Sequence, residues 1–169
     1  EATLLRDLLN VPQESPSFEV QGARVAARII GHDPSNLQRY VILDVGEEAG
    51  IVRNMPVVTY RGLVGRISEA GAGWSRVLLI TDMSSSVNAL TQSTSASGLV
   101  QGQPDGSLFM TSIPQADTVS VGDTVFTSGL GGNFPRQILI GQVIEVQRKD
   151  YELYQTAVIK PTVDFGHLE

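Results

Sequence analysis

From residue 18 onward the chain sustains no helical period over three turns. Instead, short runs rich in Val, Ile, Leu and Thr recur at 25–30, 40–45, 56–60, 63–67, 77–80, 87–90, 108–111, 124–127, 138–146 and 156–160, bounded by Gly, Pro, Asp or Ser. Ten or more short strands at this spacing close into a sandwich or a barrel. The sequence therefore predicts an all-β fold. Its 17 Gly and 8 Pro suit tight turns, and 41% apolar residues can fill a core without staples. With no cysteine, disulfides, thiolate zinc sites and thiol nucleophiles are excluded.

The strands also repeat. Gly65-Arg66-Ile67-Ser68-Glu69 leads through a loop to Arg76-Val77-Leu78-Leu79-Ile80-Thr81-Asp82, and Gly141-Gln142-Val143-Ile144-Glu145-Val146 leads likewise to Ala157-Val158-Ile159-Lys160-Pro161-Thr162-Val163-Asp164. Each follows a matching lead-in, Met55-Pro56-Val57-Val58-Thr59 and Gly122-Asp123-Thr124-Val125-Phe126-Thr127. A weaker third copy is Arg24-Val25-Ala26-Ala27-Arg28-Ile29, followed by Asp33 and Tyr40-Val41-Ile42-Leu43. Such a unit is a hairpin whose glycine relieves a tight bend, as barrel corners require. One hairpin buries too little alone, so two related halves predict two small barrels packed together. The expected division is a first barrel over 18–112 and a second over 113–169, with the split in the 95–115 region. In an arrangement that the sequence leaves open, the strand at 22–46 completes the second barrel.

Residues 1–17 read differently. Leu4, Leu5, Leu8 and Leu9 recur at helical spacing with Arg6 and Asp7 between them, and Pro12 and Pro16 then open a polar hinge. Ten residues are too few for a lone helix in water. The segment is either a short helix packed on its own domain or the remnant of a longer coiled coil through which copies self-associate. The chain begins at Glu1 and reads as a piece of a longer protein. No apolar run approaches the roughly 20 residues of a spanning helix, and no leader pattern is present.

A net charge of −6 with scattered Lys and Arg argues against nucleic acid as a partner. The two histidines, His32 in a Gly-His-Asp-Pro turn and His167 near the end, lack companions at metal-ligand spacing, so neither a metal nor a cofactor is expected. Two packed barrels are also the architecture of chymotrypsin-like proteases, and His32, Asp82 and Ser128 occur in the triad order. However, Thr127 stands where the protease motif needs Asp, and Leu130 interrupts the glycines after Ser128. The run Thr127-Ser128-Gly129-Leu130-Gly131-Gly132 likewise lacks the following helix and the Lys-Ser/Thr pair of a phosphate loop. It reads as a wide hairpin loop with positive-φ positions. Leu130 and Phe134, apolar residues expected to be exposed on that loop, are candidate partner anchors. Tyr151 and Tyr154, between the last two strands, form a second candidate surface, with core packing of one ring as the competing reading. Trp74 occupies the corresponding loop of the first half.

Asp33-Pro34-Ser35-Asn36, Met55-Pro56-Val57-Val58-Thr59-Tyr60-Arg61-Gly62-Leu63-Val64-Gly65-Arg66 and Ser75-Arg76-Val77-Leu78-Leu79-Ile80-Thr81-Asp82 resemble the MreC family. So do Val121-Gly122-Asp123, Thr127-Ser128-Gly129-Leu130-Gly131-Gly132-Asn133-Phe134-Pro135 and Ile140-Gly141-Gln142-Val143, in order over roughly residues 20–165. The resemblance implies a pair of six-stranded barrels in a chymotrypsin-like arrangement without an active site, preceded by a periplasmic coiled coil and a single inner-membrane anchor. It implies a non-enzymatic scaffold of the elongation machinery that controls cell shape. Such a scaffold links the MreB and MreD side to a penicillin-binding transpeptidase and its glycosyltransferase, and self-associates. The expected location is the periplasmic side of the bacterial inner membrane, with the membrane reached only through an anchor outside this chain. The alternatives are a two-barrel serine hydrolase and a generic peptide- or glycan-binding β module.

Overall fold

The computed structural model describes residues 18–20, 25–32, 38–130 and 134–165. Among them lie thirteen strands and one short 3-10 turn at Glu47–Ala49. The strands are β1 (Phe18–Val20), β2 (Val25–Ala27), β3 (Ile29–His32), β4 (Tyr40–Leu43), β5 (Pro56–Thr59), β6 (Gly62–Ala70) and β7 (Ser75–Leu79). They continue with β8 (Ser86–Thr91), β9 (Ser97–Gly102), β10 (Leu108–Pro114), β11 (Thr124–Thr127), β12 (Leu139–Gln147) and β13 (Tyr154–Pro161). The expected all-β fold is present. The leucines at positions 4, 5, 8 and 9 lie outside the described residues.

Strands β8 to β13 close into a six-stranded barrel in the order β10-β13-β12-β11-β8-β9. Within that ring β11-β8-β9-β10 is a Greek key, the fourth strand returning beside the first. Strands β1 to β7 form a seven-stranded sheet in the order β2-β1-β5-β6-β7-β4-β3. Its two edges, β2 and β3, are separated in sequence only by Arg28. They are thus two halves of one bent strand, and the sheet follows the same connectivity as the barrel. Arg28 is tied to β4's end at both backbone groups: its N–H donates to Asp44 Oδ1 at 2.9 Å, and its carbonyl accepts the Asp44 N–H at 3.0 Å.

The internal repeat survives at the level of register. Gly65 pairs with Val57 across β5/β6, and Gly141 with Val125 across β11/β12. In each pair the ladder slips at the next step, so that Val64 and Ile140 are left opposite no partner. A second slip falls three residues after each glycine, at Ser68 between Ile67 and Glu69 and at Ile144 between Val143 and Glu145. Paired bulges at matching places bend both meanders in the same way, which lets each sheet curl on itself.

Two apolar cores result, and β6 serves both. Leu63 points into the barrel core with Val87, Val100, Leu108, Met110 and Ile140, while its neighbour Val64 points into the sheet core with Leu43, Ile51, Val57 and Val77. Successive residues of a strand face opposite ways, so a strand between two cores is apolar without interruption. The junction is tightest at the β5–β6 turn. A Cβ on Gly62, whose φ is +143°, would lie 2.5 Å from the Leu139 carbonyl oxygen. Beside it Thr162 Oγ1 donates to the Arg61 carbonyl at 2.6 Å.

The division between halves departs from the expected one. Strands β8, β9 and β10 belong to the barrel, so the change of sheet falls in the connection 80–85 and not at 112. Nor does the strand at 22–46 complete the second barrel, because β4 pairs with β7 and β3 with β4. The exchange runs the other way: beyond β13 the chain returns to the sheet, where Val163 is buried in its core.

Candidate functional site

The β12–β13 loop presents three large apolar side chains together. Tyr151 is 82% exposed, Leu153 80% and Tyr154 53%. The loop beneath them is held by Gln115, just past the end of β10. Its backbone N–H donates to the Leu153 carbonyl at 3.1 Å, and its Nε2 to the carbonyls of Lys149 at 3.0 Å and Tyr154 at 3.4 Å. In return Arg148 Nε donates to Gln115 Oε1 at 2.9 Å. Buried Gln155 adds bonds from its Nε2 to the carbonyls of Pro114 at 3.0 Å and Asp117 at 2.7 Å. Apolar area held by so many bonds loses little conformational freedom when a partner covers it. Neither tyrosine is taken up in the core, so the competing reading of core packing does not hold. Sequence reasoning missed Leu153, and Gln115 offers no local signal, since its role depends on pairing across the barrel.

The β11–β12 loop separates its two candidates. Leu130 is 63% exposed and is fixed at both backbone groups: its N–H donates to Ser128 Oγ at 3.2 Å and its carbonyl accepts from Asn88 Nδ2 at 3.2 Å. Phe134 is only 6% exposed and packs in the barrel core, so the expectation that both residues face solvent is corrected for Phe134. The physical reason lies in the loop's anchoring. Thr127 Oγ1 donates to the Pro135 carbonyl at 2.5 Å and accepts the Ile138 N–H at 2.9 Å, which draws the chain after the glycines back over the barrel mouth. Gly129 has φ +81°, in keeping with a wide turn. Leu130 and the tyrosine pair stand at opposite ends of β12, roughly 25 Å apart along the strand, and are separate surfaces.

Trp74, in the loop equivalent to that of Tyr151, is exposed, at 38%, and lies against its own turn. A Cβ on Gly71 would lie 2.2 Å from the indole nitrogen, and the Gly71 N–H donates to the Trp74 carbonyl at 2.9 Å.

The residues in triad order are otherwise engaged. His32 ends β3 on the surface and hydrogen-bonds to neither Asp82 nor Ser128. Asp82 is buried, and its carboxylate accepts the Arg39 N–H at 2.7 Å, the Ser84 N–H at 2.9 Å and the Ser84 hydroxyl at 2.5 Å. Burial alone would raise its pKa. The Ser84 hydroxyl, the two amides and the charge of Arg39 outweigh it and hold the group below its ordinary value. This is a carboxylate built to remain ionised as a structural tie. Among the described residues no three His, Asp or Glu side chains gather as a metal site, and no helix is long and apolar enough to cross a membrane. His167 lies outside the described residues.

A closed six-stranded Greek-key barrel welded to a curled seven-stranded sheet of the same connectivity defines the class: an all-β protein of two related units, of which one is a closed barrel where two six-stranded barrels were expected. Residues 29–169 match the family described as rod shape-determining protein MreC, barrel core. The chain belongs to the MreC family. It is 35% identical to the cell shape-determining protein MreC of Listeria monocytogenes over 84% of this chain and 50% of that protein. It is equally 35% identical to that of Cereibacter sphaeroides, over 86% of this chain and 46% of that protein. The chain thus spans about half the length of these relatives. Among solved structures, Listeria MreC superposes with a TM-score of 0.79 at 30% identity, covering 99% of this chain and 80% of that one. A Helicobacter pylori complex between penicillin-binding protein PBP2 and MreC shares the fold, with a TM-score of 0.67 at 17% identity, covering 86% of this chain and 87% of that one.

Proposed function

We propose that this chain is the extracytoplasmic barrel region of a non-enzymatic scaffold, which binds and positions peptidoglycan synthases of the elongation machinery. The first partner is a penicillin-binding transpeptidase, and the clamped loop bearing Tyr151, Leu153 and Tyr154 is its docking surface. The observation that carries this reading is the loop itself: exposed apolar side chains on a backbone fixed by Gln115 and Arg148. Aromatic anchors on a rigid frame supply most of the affinity in protein interfaces. The Helicobacter complex of PBP2 with MreC supports a partner of this class. Leu130, at the far end of β12, is proposed as a secondary contact. A scaffold of this kind works by binding one conformation of the synthase better than another, and so shifts its population. It needs no catalytic side chain of its own. Attachment on the periplasmic side of the inner membrane, connection to MreB and MreD, and self-association through Leu4, Leu5, Leu8 and Leu9 complete the proposal.

Calorimetry of the folded chain with the periplasmic domain of the cognate transpeptidase tests it. Saturable binding is expected, and Tyr151→Ala with Tyr154→Ala should weaken it roughly tenfold or more, while thermal unfolding stays unchanged. Wild-type affinity in the folded double variant would remove the loop from the interface.

A further inference from the structure

Beside the junction turn lies a cavity of about 490 Å³, walled by residues of both halves, including Arg61 from the β5–β6 turn and Lys160, Thr162 and Phe165 from β13 and beyond. In a chain of net charge −6, its lining carries two cations, Arg61 and Lys160, against one carboxylate, Asp164. Arg61 and Tyr60 are both exposed and engage each other: the Arg61 Nε donates to the Tyr60 hydroxyl at 2.9 Å, with the guanidinium 5.5 Å from the ring centre. The bond from Thr162 Oγ1 fixes the backbone beneath it. A guanidinium tethered through Nε keeps its two Nη groups for a planar acceptor. Lys160, exposed on the other wall, has no ion pair or side-chain hydrogen bond among the described residues. Gly106 closes the cavity against Arg39, whose Cζ would lie 2.9 Å from a Cβ at that position.

We propose that this cavity between sheet and barrel binds an acidic peptide segment, with one carboxylate gripped between Arg61 and Lys160. The lining chooses among anions. Pro161 and Phe165, both only partly buried, give an apolar wall suited to the side chain next to a Glu or Asp. Asp164, which acts electrostatically on Arg61, leaves a net charge of +1, enough to balance a single carboxylate but not the several charges of a closely spaced polyphosphate. The site lies by the start of β12, at the opposite end of that strand from the tyrosine loop, and the proposal rests on no part of the synthase reading.

The test is fluorescence anisotropy of the folded chain at low salt, with a fluorescein-labelled hexapeptide of alternating Glu and Leu. Its Gln-for-Glu analogue and long-chain inorganic polyphosphate serve as competitors. The Glu peptide should bind at least about tenfold more tightly than the Gln analogue and weaken with added salt. Arg61→Glu and Lys160→Glu should each weaken it about tenfold or more, equivalent to about 1.4 kcal/mol. Milder Arg61→Gln and Lys160→Gln variants, with unchanged thermal unfolding, guard against a folding defect. Equal binding of both peptides, wild-type affinity in the folded variants, or displacement by polyphosphate at lower concentration than by unlabelled Glu peptide would each overturn the proposal.

Discussion

Gly65 and Gly141 hold corresponding places in β6 and β12, and each lies against the backbone of the next strand. A Cβ would stand 2.0 Å from the Leu78 carbonyl oxygen in the first case and 2.2 Å from that of Lys160 in the second. Neither needs a positive φ, so the requirement is space alone. Gly65→Ala and Gly141→Ala are each expected to destabilise by about 1–3 kcal/mol or more through forced backbone shifts, lowering the melting temperature by several degrees. Gly73→Ala, where a Cβ meets nothing within 4 Å, is the control and should melt as wild type. Melting by circular dichroism decides it; equal behaviour of all three would refute the steric account. Single residues were unevenly legible in the sequence. The repeat identified these glycines because a missing side chain leaves a trace in the pattern. Phe134 misled, because apolar character near glycines says nothing about whether a loop folds back over the core.

At the scale of elements, the β12–β13 loop owes its shape to a residue outside it. Gln115→Ala removes the acceptor of Arg148 and the donors to Lys149 and Tyr154, while leaving the backbone bond to Leu153. Faster amide exchange over 149–154 is therefore expected, with a stability loss of about 1–2 kcal/mol. Hydrogen–deuterium exchange with mass spectrometry reads this directly, and unchanged exchange would show that the tyrosines are held by something else. The hairpins β6–β7 and β12–β13 were legible because β-branched runs and glycine punctuation agree. Strand β9 was not. Its Gly98 and Gly102 look like turn residues, yet each gives room for a carbonyl oxygen. A Cβ on Gly98 would stand 2.7 Å from that of Thr111, and one on Gly102 2.2 Å from that of Thr81. Close approach and tight turning ask for the same residue.

For the whole molecule, the connection at 80–85 is where the two halves meet in sequence, and Asp82 governs it. Its folded pKa lies below the ordinary 3.8, so its contribution is complete above that value and drains away as pH falls through the lower folded value. Asp82→Asn should cost about 1–2 kcal/mol near neutral pH, and the gap from wild type should narrow below pH 3.8. Urea unfolding at pH 7 and pH 3 measures both, and a gap independent of pH would exclude an ionised tie. The repeat disclosed two related meanders, β5–β7 and β11–β13, but not the boundary between halves. That boundary depends on which partners β8, β9 and β10 choose, and distant pairing leaves no local mark in sequence.

The return of the chain to the sheet after β13 has a topological meaning. Strand β1 pairs with β5, and Val163 is packed in the same core, so positions 18 and 163 are both seated in the curled sheet. The chain thus enters and leaves through the curled sheet, and the closed barrel is the long excursion made between those two moorings.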